Sequence, residues 1–215
     1  VKTALQQAKL YGIIDLGYVH QDRLRETTAA LCGGGIDILQ LRAKGFSCAD
    51  ILPMARLIQP LVADAGIPFV INDFAELAAE IGADAVHIGQ DDGSLDQVRK
   101  IIGPSMLIGR STHSPAQAQA ALAEGFDYIG FGPLFPTPTK VGRPGIGLND
   151  VSSVNQSVGK KIPVFCIGGI NLDNLTEIIR AGSNRAVIVS ALLKATDIAG
   201  AVRQAKVLLD EALRS

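Results

Sequence analysis

Tryptophan is absent from the 215 residues, and Phe, Tyr and Trp together make up only 5%. Stacking platforms for single-stranded nucleic acid or polysaccharide are therefore scarce. Cysteine is scarce as well: Cys32, Cys48 and Cys166 are odd in number, far apart and without a CxxC or Cys/His spacing. That speaks against a disulfide framework or a zinc site, and all three are expected to be small buried residues. An excess of charge of one sign is also missing, since 20 Lys+Arg stand against 21 Asp+Glu for a formal net charge of −1. A broad basic surface for nucleic acid or an anionic membrane is thereby excluded, while a local anion site is not. No apolar run reaches the roughly 18 residues of a membrane span, and the first residues lack the basic-then-apolar order of a signal peptide. The expected protein is cytoplasmic, with no membrane and no nucleic-acid partner.

Apolar material is plentiful. Hydrophobic residues make up 47% of the chain, and a chain of this length buries roughly 70% of its unfolded surface. No linker, low-complexity segment or charge block divides it, so one domain over 1–215 is expected. Short β-branched runs alternate with helix-period segments from end to end, the pattern of βα repetition and a parallel sheet. The expected strands are 10–15, 36–41, 68–71, 85–88, 106–109, 128–131, 164–167 and 186–189. Eight such units, at about 27 residues each, predict an α/β fold made of a single (β/α)8 barrel.

Glycine and proline punctuate these units by parity. Gly35-Ile-Asp37, Gly82-Ala-Asp84, Gly125-Phe-Asp127 and Gly182-Ser-Asn184 introduce the even runs, whereas Pro68, Pro104 and Pro163 introduce the third, fifth and seventh. Each Gly suits the left-handed position that ends a helix, and each Asp or Asn suits the turn into a strand. The longest segment without clear period, 133–148, holds Pro, Thr, Lys, Arg and Gly and is expected to be an active-site lid.

A barrel interior is expected to be apolar packing, with the active site at the carboxyl ends of the strands. Polar residues gather at those ends. In the second run Gln40, Arg42 and Lys44 alternate with Leu39, Leu41 and Ala43, so a period of two puts the three polar side chains on the face that helices do not cover. The third run ends in Asn72-Asp73 and the fourth leads through His87 to Asp91-Asp92. Neighbouring strands lie about 4.8 Å apart, so Asp73 and Asp92 come within reach of one ion, and oxygen-only ligands favour Mg²⁺. A helix N-cap is the plainer role for either Asp. After the fifth run, Ser114 before Pro115 reads as an N-cap, and Ser111 is the better ligand. His87 and His113 are open between support and proton transfer, and His20 has no visible role. Runs seven and eight end in Gly168-Gly169 and Val189-Ser190, where such barrels commonly bind phosphate through backbone N–H groups. With Lys140, the mouth offers two carboxylates for a metal, three cations and a separate phosphate site. That set suits one substrate with a metal-bound diphosphate and another with a monophosphate.

The segments Leu39-Gln-Leu-Arg-Ala-Lys44, Asn72-Asp73, His87-Ile-Gly-Gln-Asp-Asp92, Ser111-Thr-His113, the run from Gly130 to Lys140 and Ile167-Gly-Gly-Ile170 resemble the thiamine-phosphate synthase family. The resemblance covers nearly the whole chain and is most specific at Thr137-Pro-Thr-Lys140. It implies a transferase that joins hydroxymethylpyrimidine diphosphate to a thiazole phosphate, releasing diphosphate. By matching position, Gln40, Arg42, Lys44, Asn72, Ser111 and Lys140 would hold the pyrimidine diphosphate, with Arg42, Lys44, Lys140 and Ser111 acting on the departing group. Asp73 and Asp92 would bind Mg²⁺, and Thr137, Thr139, Gly169, Val189 and Ser190 would hold the thiazole phosphate. The partners implied are these small-molecule substrates, with room left for a homo-oligomer. Ala43, Phe74, Asp91 and Asn184-Arg185 depart from the family's frequent residues, and Phe74 leaves one fewer cation near the diphosphate. The rivals are a thiazole tautomerase on the same barrel and a non-catalytic phosphate-binding homologue.

Overall fold

The eight β-branched runs fold into eight parallel strands: β1 (Leu10–Asp15), β2 (Ile38–Arg42), β3 (Phe69–Asn72), β4 (Ala85–Ile88), β5 (Leu107–Thr112), β6 (Tyr128–Phe131), β7 (Val164–Cys166) and β8 (Ala186–Ile188). In this computed structural model, which describes residues 1–137 and 144–211, they pair in sequence order and β8 closes on β1. A ring of helices covers the outside: α2 (Leu24–Gly34), α3 (Cys48–Asp64), α4 (Ala75–Ile81), α5 (Leu95–Ile102), α6 (Pro115–Glu124), α7 (Val151–Ser157), α8 (Leu175–Arg180) and α10 (Ile198–Glu211). The short α9 (Ser190–Leu193) follows β8, and α1 (Lys2–Gln7) precedes β1. One apolar cluster fills the space between strands and helices, and a second fills the barrel interior.

Several strand limits differ from expectation. Run two starts later, at Ile38, and reaches Arg42, while run five starts at Leu107 and extends to Thr112. Runs seven and eight stop short of Ile167 and Val189. There the backbone leaves the ladder, at Gly168 with φ 99° and at Val189 with ψ −90°.

The parity of the punctuation has a physical basis. Asp37, Asp84 and Asp127 each turn a carboxylate back onto the start of the preceding odd strand, accepting the N–H of Leu10, Phe69 and Ile108, each at 2.9 Å. Each Asp also donates its own N–H to the carbonyl of that same residue. The glycine two positions earlier ends the helix in the left-handed region, with φ of 90°, 63° and 94° at Gly35, Gly82 and Gly125. The fourth copy differs, because Asn184 makes no such clamp among the described residues. Instead Arg185 reaches across the barrel floor to the carbonyls of Ala8 (3.1 Å) and Gln6 (2.7 Å). It thus pins α1, whose Leu5 packs into the interior cluster. The departure at Asn184-Arg185 is therefore a fastening for the N-terminal helix.

Caps follow the sequence closely. Ser47 and Ser94 start α3 and α5 with reciprocal capping boxes, and Ser114 caps α6 ahead of Pro115. Asp92 is therefore not the cap of α5. The cysteines correct the expectation of uniform burial: Cys166 is buried, Cys32 is half-buried and Cys48 is exposed. Cys48 is the first residue of α3, on its solvent side, where no core contact is available. No helix of the described residues is long and apolar enough to cross a membrane.

Burial pushes the Cys166 thiol up to about 11, only partly offset by a hydrogen bond with Ser183, so it stays neutral and unreactive near neutral pH. A thiol reagent is expected to modify Cys48 rapidly in the native protein and Cys166 only after unfolding. Equal rates at the two sites would contradict this burial.

Candidate active site

The carboxyl ends of the strands surround a cavity of about 910 Å³, counting the part open to solvent. Its wall brings together Gln40, Arg42, Asn72 and Ser111 from β2, β3 and β5 with Thr137, Gly169, Val189 and Ser190. Sequence-distant residues of the two expected substrate groups thus face one space. Thr139 and Lys140 lie outside the described residues.

Lys44, Asp73 and Asp92 do not line this cavity but cluster at its rim. Strict alternation along β3 sends Asn72 inward and Asp73 outward. Asp73 instead takes φ 65°, a left-handed conformation that Asp tolerates better than most residues. Its N–H bonds the His87 carbonyl at 2.9 Å, which ties the turn to β4, and its carboxylate meets Lys44 Nζ at 2.7 Å. Asp92 lies within hydrogen-bonding reach of Asp73. Its Oδ2 accepts the Gly89 N–H at 2.7 Å, where a Cβ on residue 89 would come within 2.6 Å of that oxygen. The loop that carries Asp92 is held by Arg110, which donates to the carbonyls of Gly93 and Gln90 at 2.8 and 3.0 Å.

Burial pushes the Asp73 carboxyl above its ordinary range, Lys44 pulls it down, and the Asp92 carboxylate beside it pushes it up again. Two neighbouring carboxylates, of which Asp73 alone meets the Lys44 ammonium, leave the cluster short of positive charge. No set of three or more His, Cys, Asp or Glu side chains able to hold a metal occurs among the described residues. The two neighbouring carboxylates Asp73 and Asp92 are oxygen donors of the kind that fit a hard cation such as Mg²⁺, whose shell water and substrate phosphate commonly complete.

Arg42 is oriented by a residue the sequence reading passed over. Asp15, in register with Arg42 across the β1–β2 pair, accepts from its Nη1 at 2.5 Å. The side chains are 4% and 14% exposed respectively. The other oxygen of Asp15 takes the Gly17 N–H at 2.9 Å. Its place at the end of the first strand was the signal available.

The expectation of an apolar interior fails beneath the mouth. Gln40, Tyr11, Tyr128, His87 and Ser111 form a hydrogen-bonded series across the barrel. Tyr11 and Tyr128 look like core aromatics in sequence, and Gly109 makes room for the second, since a Cβ there would lie 2.1 Å from its ring. His113 donates from Nδ1 to the Gly132 carbonyl and receives support from Gln117, whose Oε1 accepts the His113 N–H at 2.7 Å. It therefore holds the start of the segment after β6.

On the opposite wall, Gly168 and Gly169 have φ of 99° and 67°. Substitution at Gly169 would also strike the loop after β6, with Phe135 Cβ at 2.7 Å. Among the described residues, the N–H groups of Gly169, Ile170, Ser190 and Ala191 donate to no protein acceptor. They are available to an anion.

Carboxylates and cations at one edge, with backbone N–H groups unpaired among the described residues at the other, give a barrel whose mouth suits small anionic molecules. Comparison with known proteins agrees. A family described as "Thiamine monophosphate synthase" matches residues 10–192. The chain is 42% identical to a thiamine-phosphate synthase of Thermus thermophilus over 187 residues, 87% of this chain and 89% of that one. It is 42% identical over 212 residues to one from Mycobacterium sp. (strain KMS), covering 94% and 93%. A solved thiamine phosphate pyrophosphorylase from Pyrococcus furiosus superposes with TM-score 0.87 at 29% identity, covering 98% and 99%. The chain belongs to the thiamine monophosphate synthase family, and with it to the transferases of thiamine biosynthesis.

The Asp15–Arg42 pair generates a prediction. Asp15→Asn leaves a largely buried guanidinium facing a neutral amide, and urea denaturation is expected to show a loss of about 1–3 kcal/mol. A change below about 0.5 kcal/mol, the level of an ordinary surface substitution, would contradict the role given to the pair.

Proposed function

We propose that this chain condenses 4-amino-2-methyl-5-hydroxymethylpyrimidine diphosphate with a thiazole phosphate to give thiamine phosphate and diphosphate, within one cytoplasmic domain. The observation that carries this reading is the single cavity faced by Gln40, Arg42, Asn72 and Ser111 on one side and by Thr137, Gly169, Val189 and Ser190 on the other. The first set would hold the pyrimidine diphosphate. The second would hold the thiazole phosphate, with backbone N–H groups at Gly169 and Ser190 meeting its oxygens.

Asp73 and Asp92 would hold Mg²⁺, which screens the charge of the diphosphate when bound. Arg42, fixed by Asp15, and Lys44 face the charge that grows on the leaving group, joined by Lys140 and Ser111. One such preorganised donor is typically worth about 3 to 4 kcal/mol, or 10² to 10³ in rate. As the carbon–oxygen bond to diphosphate breaks, the amino group of the pyrimidine supports the positive charge on the exocyclic carbon. The thiazole nitrogen then supplies the electron pair of the new carbon–nitrogen bond.

Water must be kept from that carbon, since it would give the alcohol. The segment 133–148, of which 138–143 lie outside the described residues, is suited to this task because its first residues are tied to the end of β7 and its last residues are tied back to its first. Leu134 and Phe135 donate N–H to the carbonyls of Ile167 (2.8 Å) and Gly168 (3.0 Å), and Ile146 and Gly147 donate to those of Pro133 (2.8 Å) and Leu134 (3.0 Å). Thr139 would add to the thiazole phosphate site. The joint presence of Arg42, Lys44, Asp73 and Asp92 at the mouth favours the synthase over a tautomerase, which has no diphosphate to release.

Incubation with both substrates and Mg²⁺ is expected to yield thiamine phosphate and diphosphate by mass spectrometry. Isomerisation of the thiazole without the pyrimidine, or no metal-dependent condensation, would overturn the reading. Asp92→Ala is expected to lose turnover while still binding thiazole phosphate in calorimetry, and normal activity across Mg²⁺ concentrations would remove Asp92 from the metal site. Lys140→Ala should slow the single-turnover chemical step by about 10² to 10³. An unchanged step would exclude Lys140 from leaving-group stabilisation.

A further inference from the structure

Two residues of the proposed pyrimidine-diphosphate site, Gln40 and Ser111, sit at the two ends of one buried hydrogen-bond series. Gln40 Nε2 donates to the Tyr11 hydroxyl at 2.9 Å. The Tyr11 and Tyr128 hydroxyls are 3.2 Å apart, Tyr128 Oη lies 3.3 Å from His87 Nδ1, and His87 Nε2 lies 3.0 Å from Ser111 Oγ. The series passes through β2, β1, β6, β4 and β5 and so spans the barrel.

Proton counting gives the series a direction. Tyr11 receives one hydrogen from Gln40, and its remaining partner among the described residues is Tyr128, so its own hydrogen goes there. Tyr128 then gives its hydrogen to His87 Nδ1, which must be bare. The imidazole proton resides on Nε2 and is donated to Ser111 Oγ. Ser111 is left with its hydroxyl hydrogen directed to the cavity, and Gln40 with its Oε1. Burial holds both phenols above their ordinary pKa, so each keeps the proton that the series needs. The reverse direction requires the Gln40 amide to be turned over. Without that turn it leaves a buried Tyr11 hydroxyl without an acceptor, which is costly.

We propose that Tyr11, Tyr128 and His87 are positioning residues that set the polarity of the site, presenting Ser111 as a hydrogen-bond donor and Gln40 as an acceptor to the pyrimidine diphosphate. The ligand class rests on the proposed function; the polarity does not. A substrate with an N–H opposite Gln40 and an acceptor opposite Ser111 matches this arrangement, and an analogue with the two exchanged meets two mismatched pairs.

The test has one arm without substrate. In ¹⁵N-histidine-labelled full-length protein, with His87 assigned by its loss in His87→Gln, the proton is expected on Nε2. A proton on Nδ1 would overturn the polarity. Tyr128→Phe keeps the ring and removes one hydroxyl, and is expected to abolish the tautomer preference; a retained Nε2–H preference would show that Tyr128 does not set it. In the second arm, Tyr128→Phe and His87→Ala are expected to lower kcat/KM for the pyrimidine diphosphate about tenfold, the worth of one hydrogen bond, with the thiazole-phosphate KM unchanged. His87→Gln, whose amide reaches towards Ser111 as Nε2 does, is expected to recover most of the loss. Should Tyr128→Phe unfold, Tyr11→Phe, which cuts the series one link earlier, is expected to show the same selective loss. Equal losses for both substrates, or none, would overturn the positioning role. Absence of condensation in the wild type together with the Nε2–H tautomer would overturn the proposed function and the assigned ligand while the polarity stands.

Discussion

The buried pair between Asp15 and Arg42 is the contact on which the mouth of the barrel depends. A guanidinium so largely withdrawn from water needs a carboxylate at close range, and the β1–β2 register supplies one directly opposite. That register also sets Ile13 beside Gln40 and Tyr11 beside Ile38, so the same pairing that neutralises Arg42 brings Gln40 over the Tyr11 hydroxyl. From there the hydrogen-bond series crosses to Ser111. Slipping β2 by one residue would turn Gln40 and Arg42 into the helical layer and bring Leu39 and Leu41 inside. Both the proposed diphosphate edge and the interior polar series would be lost together.

Around this pair the proposed function separates two kinds of anion recognition. The β2–β3–β4 edge would use charge: Arg42, Lys44 and the carboxylates Asp73 and Asp92, whose mutual repulsion a bound cation would relieve. The β7–β8 edge uses the backbone, with glycines whose positive φ and close approach to the loop after β6 leave no space for side chains. A net charge of −1 is compatible with both, because two cations, Arg42 and Lys44, suffice to make one rim locally positive and the second site needs none.

Much of this was legible in sequence because it follows from period and punctuation. The alternation in 39–44 identifies the inward face of β2, and the even-strand glycines mark the helix ends that the structure shows in the left-handed region. What escaped were features made by contacts between distant strands. Tyr11 and Tyr128 are indistinguishable from core aromatics until their hydroxyls are seen 3.2 Å apart. Asp15 reads as the last residue of a strand until Arg42 appears beside it, and Cys48 reads as a small core residue until its place on the outer side of α3 is known. The left-handed turn at Asp73, which aims its carboxylate at the rim, has no local glycine to announce it.

The central claim is that one cavity holds the diphosphate at the carboxylate edge and the second phosphate at the glycine edge at the same time. A crystal structure of the full chain with Mg²⁺, diphosphate and thiamine phosphate tests it most directly. The account predicts diphosphate beside Arg42 and Lys44, with the metal on Asp73 and Asp92, and the product's phosphate on the N–H groups around Gly169 and Ser190. Diphosphate seated on the glycine edge, or a metal held away from both carboxylates, would contradict it.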